Sequence, residues 1–381
     1  MTELTLKGKT IVLGVTGSIA AYKIASLASA LKKLEADVHV LMTKNATNFI
    51  NPITFETLIG NKCLVDTFDR NFQFSVEHVS LAKLADDMLT TTVMACKCKK
   101  FISPAMNTNM FENPVVQDNL AKLEHYQYEV IQPTSGYLAC GDTGAGKMPE
   151  PEVLLSYILR ECCCEKDMLG KRVLVTAGPT QEAIDPVRYI TNHSSGKMGY
   201  AIAEMAMLRG ANVTLVSGPT ALQPPMFVDF VPVTSAQEMF QQVTERAEKQ
   251  DIIIKAAAVA DYRPATVADQ KMKKSEDAMS LSLERTTDIL SYLGQRKTSG
   301  QFLCGFSMET ENVLGNSRAK LEKKNLDMIA ANSLRQEGAG FAGDTNILTL
   351  ITQNGQRELE LMSKKQAAME LLTEILKQQR K

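Results

Sequence analysis

Five lysines in one half of the chain could neutralise a polyphosphate. Lys271, Lys273 and Lys274 stand in the stretch KMKK, and Lys320 and Lys324 stand in RAKLEKKN. Ammonium groups gathered in this way suit phosphate oxygens, although a charge run is also what a solvated face looks like. Lys320 and Lys324 are four apart and share a face if the segment is helical. Upstream, RYITNHSSGKMG (188–199) sets hydroxyls, an amide and two glycines before an amphipathic pattern. That is the composition of a helix N-terminus that takes an anion. AAAVADYRP (256–264) follows an apolar run; its small residues leave room for a flat ligand, and Asp261 could meet a base, a sugar or a metal. Together these groups suggest nucleotide chemistry without identifying the reaction.

The first half carries a different set. GVTGSIAAYK (14–23) puts Thr16 and Ser18 where a strand turns into a helix, so hydroxyls and helix-start N–H groups could hold a phosphate. The spacing is not G-x-G-x-x-G, which excludes the dinucleotide fingerprint; an ordinary tight turn fits equally well. SPAMNTNM (103–110) offers Asn107 and Asn109 just past a strand's carboxyl end, where open α/β sheets bind ligands, or is simply an Asn-rich turn. SGYLACGDTGAGKMPEP (135–151) surrounds Cys140 with glycines at 136, 141, 144 and 146. Such density suggests a flap whose backbone approaches a ligand closely, with the thiol available as an acid. His78, one of four histidines, is open to a structural or a catalytic reading.

These groups need strand ends to position them. KTIVLGV (9–15) and ADVHVLMT (36–43) flank a helical pattern with apolar residues at Ile24, Leu27, Ala28 and Leu31, giving a βαβ unit. KFISPAMN and EVIQPTSG supply later strands. In the second half KRVLVTAGPT, DIIIKAAAVADYRP, FLCGFSMETE, LDMIAANSL and TNILTLI alternate with helical segments. Both halves therefore read as parallel α/β sheets with helices on both faces. The junction falls near ILRECCCEKDMLGK, giving domains of 1–168 and 169–381.

Composition narrows the field. Lys and Arg number 42 against 43 Asp and Glu, so no single-sign field argues for nucleic acid or a membrane surface. The first residues lack a cleavable apolar region, and no apolar run reaches a membrane span. The eight cysteines lack the pairs and histidines of a zinc site and read as reduced thiols, so a cytoplasmic location is expected.

With these motifs together, the chain resembles the bifunctional coenzyme A biosynthesis proteins, in which phosphopantothenoylcysteine decarboxylase is fused to phosphopantothenate–cysteine ligase. The matching stretches are GVTGSIAAYK, HVSLAK, PAMNTNM and SGYLACGDTGAGKMPEP in the first half. In the second they are VLVTAGPTQEAIDPVRYITNHSSGKMG, AAAVADYRP, KMKK, TDIL, CGFSMETE and AKLEKKNLDMIAAN. For the second half the resemblance implies a Rossmann-like ligase using CTP and Mg2+. Asn192 would contact the acyl-cytidylate and Lys271 would support its formation. Ala257, Ala258, Asp261, Lys271, Thr287, Asp288, Ile289, Leu290, Phe306, Lys320 and Lys324 would form the CTP pocket. The residues holding the metal are not identified. For the first half it implies a flavodoxin-like homo-oligomer with flavin mononucleotide (FMN) against Gly17, Ser18, Thr43, Ala105, Met106 and Asn107. His78 would meet the substrate carboxylate, Asn107 the substrate, and Cys140 would supply a proton.

One departure stands out. In the family, HVSLAK runs on into an apolar strand, a flavin-contacting loop and the start of a helix; here Lys83 is followed at once by LADDMLTTT. A strand, its loop and a turn or more of helix are missing, roughly 20 residues at ordinary dimensions. The expectation is an intact ligase half and a flavin site that has lost one of its loops. A ligase with a vestigial first half, and a regulatory flavoprotein without turnover, are the alternatives.

Overall fold

The computed structural model describes residues 4–65, 87–138, 141, 143–273, 280–309, 312–333 and 343–380. The chain divides into two compact units between Cys163 and Cys164, five residues before the expected boundary. The link goes with the second unit because Arg209, almost fully buried, pairs with Asp167 and also donates to the Met369 carbonyl.

In the first unit, β1 (Thr10–Val15) and β2 (Asp37–Met42) are parallel and joined by α1 (Ala21–Lys33). The apolar stripe of α1 buries Leu27, Ala28 and Leu31 against Val15, Val38 and Val40. Each such side chain contributes about 1.5–3 kcal/mol on leaving water. Helix α2 (Pro52–Ile59) starts at an Asn51 cap with proline in the first turn and stops at Gly60, whose φ of 77° is the left-handed conformation glycine adopts without strain. Next come α3 (Met88–Ala95), β3 (Phe101–Ile102), α4 (Thr108–Phe111), α5 (Pro114–His125) and β4 (Glu129–Val130). The antiparallel pair β5 (Thr134–Tyr137) and β6 (Thr143–Lys147) precedes α6 (Pro151–Cys162), which closes the core with Leu154 and Ile158.

The parallel pairs β1–β2 and β3–β4 are separate; among the described residues no β-ladder joins them. Val12, in the middle of β1, is 47% exposed. A central strand of a parallel sheet is normally covered on both faces by helices, and this position is not. In the stretch LADDMLTTT that follows Lys83, helix α3 begins at Met88; residues 84–86 lie outside the described ones.

In the second unit, β7 (Arg172–Ala177) leads through the short hairpin β8 (Gln181–Ala183) and β9 (Tyr189–Thr191) into α7 (Lys197–Leu208) and β10 (Asn212–Ser217). Then follow β11 (Asp229–Pro232), α8 (Ala236–Ala247), β12 (Ile252–Lys255) and the hairpin β13 (Tyr262–Pro264) and β14 (Leu283–Arg285). The chain continues with α9 (Ile289–Arg296), β15 (Phe302–Glu309), α10 (Val313–Lys323), β16 (Met328–Ser333), β17 (Thr345–Asn346), β18 (Thr349–Thr352), β19 (Gly355–Glu358), β20 (Met362–Ser363) and α11 (Lys364–Gln379).

The main sheet has the order β11-β10-β7-β12-β15-β16-β18-β19. Its first six strands are parallel and doubly wound: the chain runs outward from β7 through β10 to β11, then returns to β12 and runs the other way. The order reverses between β7 and β12, which opens a crevice at their carboxyl ends. The expectation of parallel sheets holds for these six strands only. TNILTLI instead divides: Thr345–Asn346 (β17) pairs with β20, and β18 lies antiparallel to β16 and turns tightly into the antiparallel β19.

Candidate active site

A cleft of about 360 Å³ opens where the strand order of the second unit reverses. Its walls are built from loops that bond to one another. After β12, Ala257 N donates to Thr176 Oγ1 (3.1 Å), Ala258 N to the Gly178 carbonyl (2.9 Å) and Ala260 N to Thr180 Oγ1 (3.0 Å). Small side chains let this strip lie flat against the turn after β7. Thr286 closes the strip by donating its hydroxyl to the Ala260 carbonyl and its N–H to the Asp261 carbonyl.

The opposite lip is the start of α7. Asn192 Oδ1 accepts from Ser194 N (2.9 Å), which bends the chain and turns its amide group outward. No side chain caps α7, so its first N–H groups remain available to an anion. Gly199 is required here: a Cβ would lie 2.6 Å from the Ala177 Cβ, so only glycine lets the helix start sit on the end of β7.

Asp288 caps α9 through Ser291 N and pairs with Lys324 at 2.8 Å. Burial pushes the Asp288 carboxyl up, but Lys324, the Ser291 N–H and the charge of Lys255 more than offset this and hold it below its usual range. Ile289 and Leu290 are buried beneath it.

Of the residues expected from the sequence, Asn192, Ala257, Ala258, Asp261, Thr287, Asp288, Ile289, Leu290, Phe306, Lys320 and Lys324 all line this cleft. Lys271 does not; it is exposed. Lys274 lies outside the described residues. The cleft also brings in lysines that sequence reasoning did not single out. Lys197 pairs with Asp344 (2.7 Å), Lys364 donates to the Gly343 carbonyl, and Lys255 ends β12. Burial pulls the Lys255 ammonium down to about 8; Asp288 and Asp261 oppose the shift and Lys324 adds to it. Asn332, also lining the cleft, keeps a buried side-chain oxygen without a partner. No group of three His, Cys, Asp or Glu suited to a metal occurs among the described residues.

In the first unit, the loops after β1 and β2 meet: a Cβ on Gly17 would stand 3.0 Å from the Asn45 Cβ. Ser18 Oγ accepts from Ala20 N, and Thr43 Oγ1 from Ala46 N. The third loop, Ala105 to Asn107, is held from above by β6. Met106 N donates to the Gly146 carbonyl (3.0 Å), and Gly144 lies against Thr108. At Gly146 a Cβ would stand 2.2 Å from the Met106 carbonyl oxygen, so the glycine-rich stretch is glycine-rich because it covers this loop. Asn107 Oδ1 accepts from Asn109 N (2.8 Å). Ser103 and Thr108 keep hydroxyl oxygens without partners on either side of the loop. Leu89 of α3 packs on Gly14 at the carboxyl end of β1. His78 and Cys140 lie outside the described residues.

Comparison with known proteins places these features. A family model described as the DNA/pantothenate metabolism flavoprotein C-terminal domain matches residues 168–379. A model described as flavoprotein matches twice, over 2–92 and 84–162. The chain is 44% identical to the coenzyme A biosynthesis bifunctional protein CoaBC of Haemophilus influenzae, covering 99% of this chain and 100% of that one. It is 43% identical to the CoaBC protein of Bacillus subtilis, with 97% of each chain covered. A crystal structure of the C-terminal domain of a CoaBC protein is 48% identical and covers 55% of this chain and 95% of its own, with a TM-score of 0.47. The Haemophilus alignment runs over 399 positions, more than the 381 residues present here. That excess, and the two flavoprotein matches overlapping at 84–92, fit an internal gap at the join after Lys83.

Proposed function

Because this chain belongs to the family of coenzyme A biosynthesis bifunctional proteins, we propose that its second unit joins 4'-phosphopantothenate to cysteine at the expense of CTP and that its first unit decarboxylates the product. The observation that carries the ligase reading is the cleft at the β7–β12 crevice, where a flat strip, a helix N-terminus and five lysines converge.

In the ligase reaction, the carboxylate of phosphopantothenate attacks the α-phosphorus of CTP. An O–P bond forms, the α–β bridge breaks and pyrophosphate leaves with its charge. The cysteine amine then attacks the acyl carbon, the acyl–oxygen bond breaks, CMP leaves and the amine proton passes to solvent. The flat strip at Ala257 and Ala258, with its small side chains, leaves room for the pyrimidine. Lys320 and Lys324 neutralise the phosphates, and Lys271 supports formation of the acyl-cytidylate. The Asn192 amide donates to the acyl-cytidylate where charge develops. With no acidic cluster among the described residues, Mg2+ would ride mainly on the triphosphate, as it commonly does.

In the first unit, FMN suits the three loops that remain: Gly17 and Ser18 after β1 and Thr43 after β2 at its phosphate end, and Ala105, Met106 and Asn107 beneath the β6 strand. Bound flavin would take up and return the electrons that let the substrate carboxylate leave. Asn107 would orient the substrate, His78 would meet its carboxylate and Cys140 would return a proton. The orphaned Ser103 and Thr108 hydroxyls support a polar ligand beside this loop. End-to-end similarity to bifunctional relatives favours two activities over a ligase alone or a regulatory flavoprotein without turnover. Assembly into homo-oligomers fits the exposed Val187, Tyr189, Tyr262 and Leu283 on the two hairpins. None of the described helices is long and apolar enough to cross a membrane; a cytoplasmic site of action is part of this proposal.

The test is product analysis with phosphopantothenate, cysteine and CTP. The reading predicts CMP and pyrophosphate in equal amounts, matched by the sum of phosphopantothenoylcysteine and its decarboxylated product. No turnover with all three present would overturn it.

A further inference from the structure

Lys255 is the cation of the cleft that the protein leaves uncompensated. It follows Ile252, Ile253 and Ile254, each at most 3% exposed, on a strand covered on both faces. A lysine at the end of such a strand usually escapes to solvent. Here it pairs in register with Thr176 on one side and Gly305 on the other, in the middle of the sheet. Side chains two apart on a strand share a face, so Lys255 lies on the face of Ile253. Ile253 packs in the cluster that contains Ile289 and Leu290 of α9 and Leu321 of α10. The ammonium is thereby carried under the start of α9 and the end of α10.

The groups around it are named by their charges. Asp288 and Asp261 attract it, and Lys324 repels it. Asp288 is already committed, pairing with Lys324 and accepting from Ser291 N. Lys197 has Asp344 and Lys364 has the Gly343 carbonyl. The Lys255 ammonium is in no side-chain hydrogen bond or ion pair with any described residue, and Lys255 lines the cleft. Lys255 is half-buried, and holding a cation partly out of water without a partner is costly unless something supplies the missing charge. The side chain faces a cavity where an anion can do so.

We propose that Lys255 directly contacts the phosphate chain of the bound nucleotide. The proposal rests on the reading of this cleft as a nucleotide site and adds a residue to it. Nucleotide phosphates would supply the ammonium with the partner that no described residue provides. The same contact would explain why a charged residue is tolerated at the end of an isoleucine strand. Asn332, whose buried side-chain oxygen has no partner among the described residues, lines the same cleft.

Calorimetry on the full chain tests this with CTP, inorganic triphosphate and cytidine as probes. Lys255→Met should weaken CTP and triphosphate by the same factor, roughly 10–100-fold for one charge-assisted contact, and leave cytidine unaffected. Lys255→Arg should retain most of the affinity. Wild-type CTP affinity should fall as pH rises past about 8, where burial has placed the Lys255 ammonium; Lys364, also pulled down by burial, is a second contributor. Lys255→Arg separates the two, because its guanidinium keeps its charge. Without ligand, Lys255→Met should melt no lower than wild type. A lysine whose proton is held more weakly folded than unfolded (roughly 10.4 in the unfolded chain) disfavours the folded state at neutral pH. A merely structural lysine would instead lower the melting temperature on removal. Unchanged CTP and triphosphate affinity in Lys255→Met would overturn the proposal, as would a loss confined to cytidine. Failure of the wild-type protein to bind CTP would instead overturn the nucleotide reading itself.

Discussion

Met272 and Asp185 are tied together across 87 residues of chain: the Met272 N–H donates to Asp185 Oδ2 at 3.1 Å. Arg188 completes the clamp, pairing with Asp185 and donating to the Met272 carbonyl at 2.7 Å. The Arg188 guanidinium and three backbone N–H groups hold the Asp185 carboxyl far below the usual carboxylate range. Met272 sits between Lys271 and Lys273, so this clamp anchors the lysine loop beside the cleft. Lys271 stands outside the cleft in this structure because its anchor is on the β8–β9 hairpin rather than on the cleft wall.

The first prediction concerns that anchor. Asp185→Asn should slow acyl-cytidylate formation by roughly 10–100-fold, the scale of a catalytic group displaced by about 1 Å. The depressed carboxyl keeps the wild-type clamp ionised throughout the neutral range, and it is lost only as pH falls through that low value. Rapid-quench measurement of pyrophosphate in the first turnover is the check. An unaltered first turnover would mean the loop is placed by something else.

The two ligase steps should separate by mutation. Lys271→Gln should block formation of the acyl-cytidylate, because pyrophosphate leaves without a cation beside it. Asn192→Asp should let it form and then slow its consumption, because a carboxylate repels the cytidylate phosphate. Trapping with CTP and phosphopantothenate in the absence of cysteine distinguishes them. Wild-type yield of intermediate in Lys271→Gln would contradict the role given to Lys271.

Gly196 should resist replacement. Its φ of 78° lies in the left-handed region, and a Cβ would stand 2.8 Å from Thr220 Cγ2. Gly196→Ala should cost about 1–2 kcal/mol from the backbone alone and raise KM for CTP, since α7 begins at that point. Thermal melting and steady-state kinetics measure both effects.

The first unit yields a prediction from its divided sheet. With β1–β2 and β3–β4 unjoined among the described residues and Leu89 packed on Gly14, the FMN site has its loops after β1, β2 and β3 and lacks the one expected after Lys83. Flavin absorbance of the purified protein should be below one FMN per chain. Full occupancy after purification would show that the remaining loops suffice.

Much of this was legible from residue types. Asn192, Asp261, Lys320 and Lys324 stand in stretches whose glycines, small residues and helical spacing announce a strand-end site, and the cleft gathers them. The break after Lys83 was visible as a missing strand between recognisable neighbours. Lys255 was not legible. A lysine after three isoleucines reads as the point where a strand reaches water; only the sheet order shows that β12 lies in the middle. Lys364 and Asn346 enter the cleft from segments far along the chain, and no local pattern marks them. TNILTLI reads as another parallel strand because apolar alternation says nothing about direction; it divides between β17 and the antiparallel β18.

The most direct test of the central claim is the fate of CTP's phosphates in the first half-reaction. With CTP and phosphopantothenate but no cysteine, the ligase unit should release one pyrophosphate per active site and retain a compound with the mass of the acyl-cytidylate. Adding cysteine should then release CMP. Appearance of CDP and inorganic phosphate instead would mean that the γ-phosphoryl group is transferred, and the account of this cleft as a nucleotidyl-transferring ligase site would be wrong.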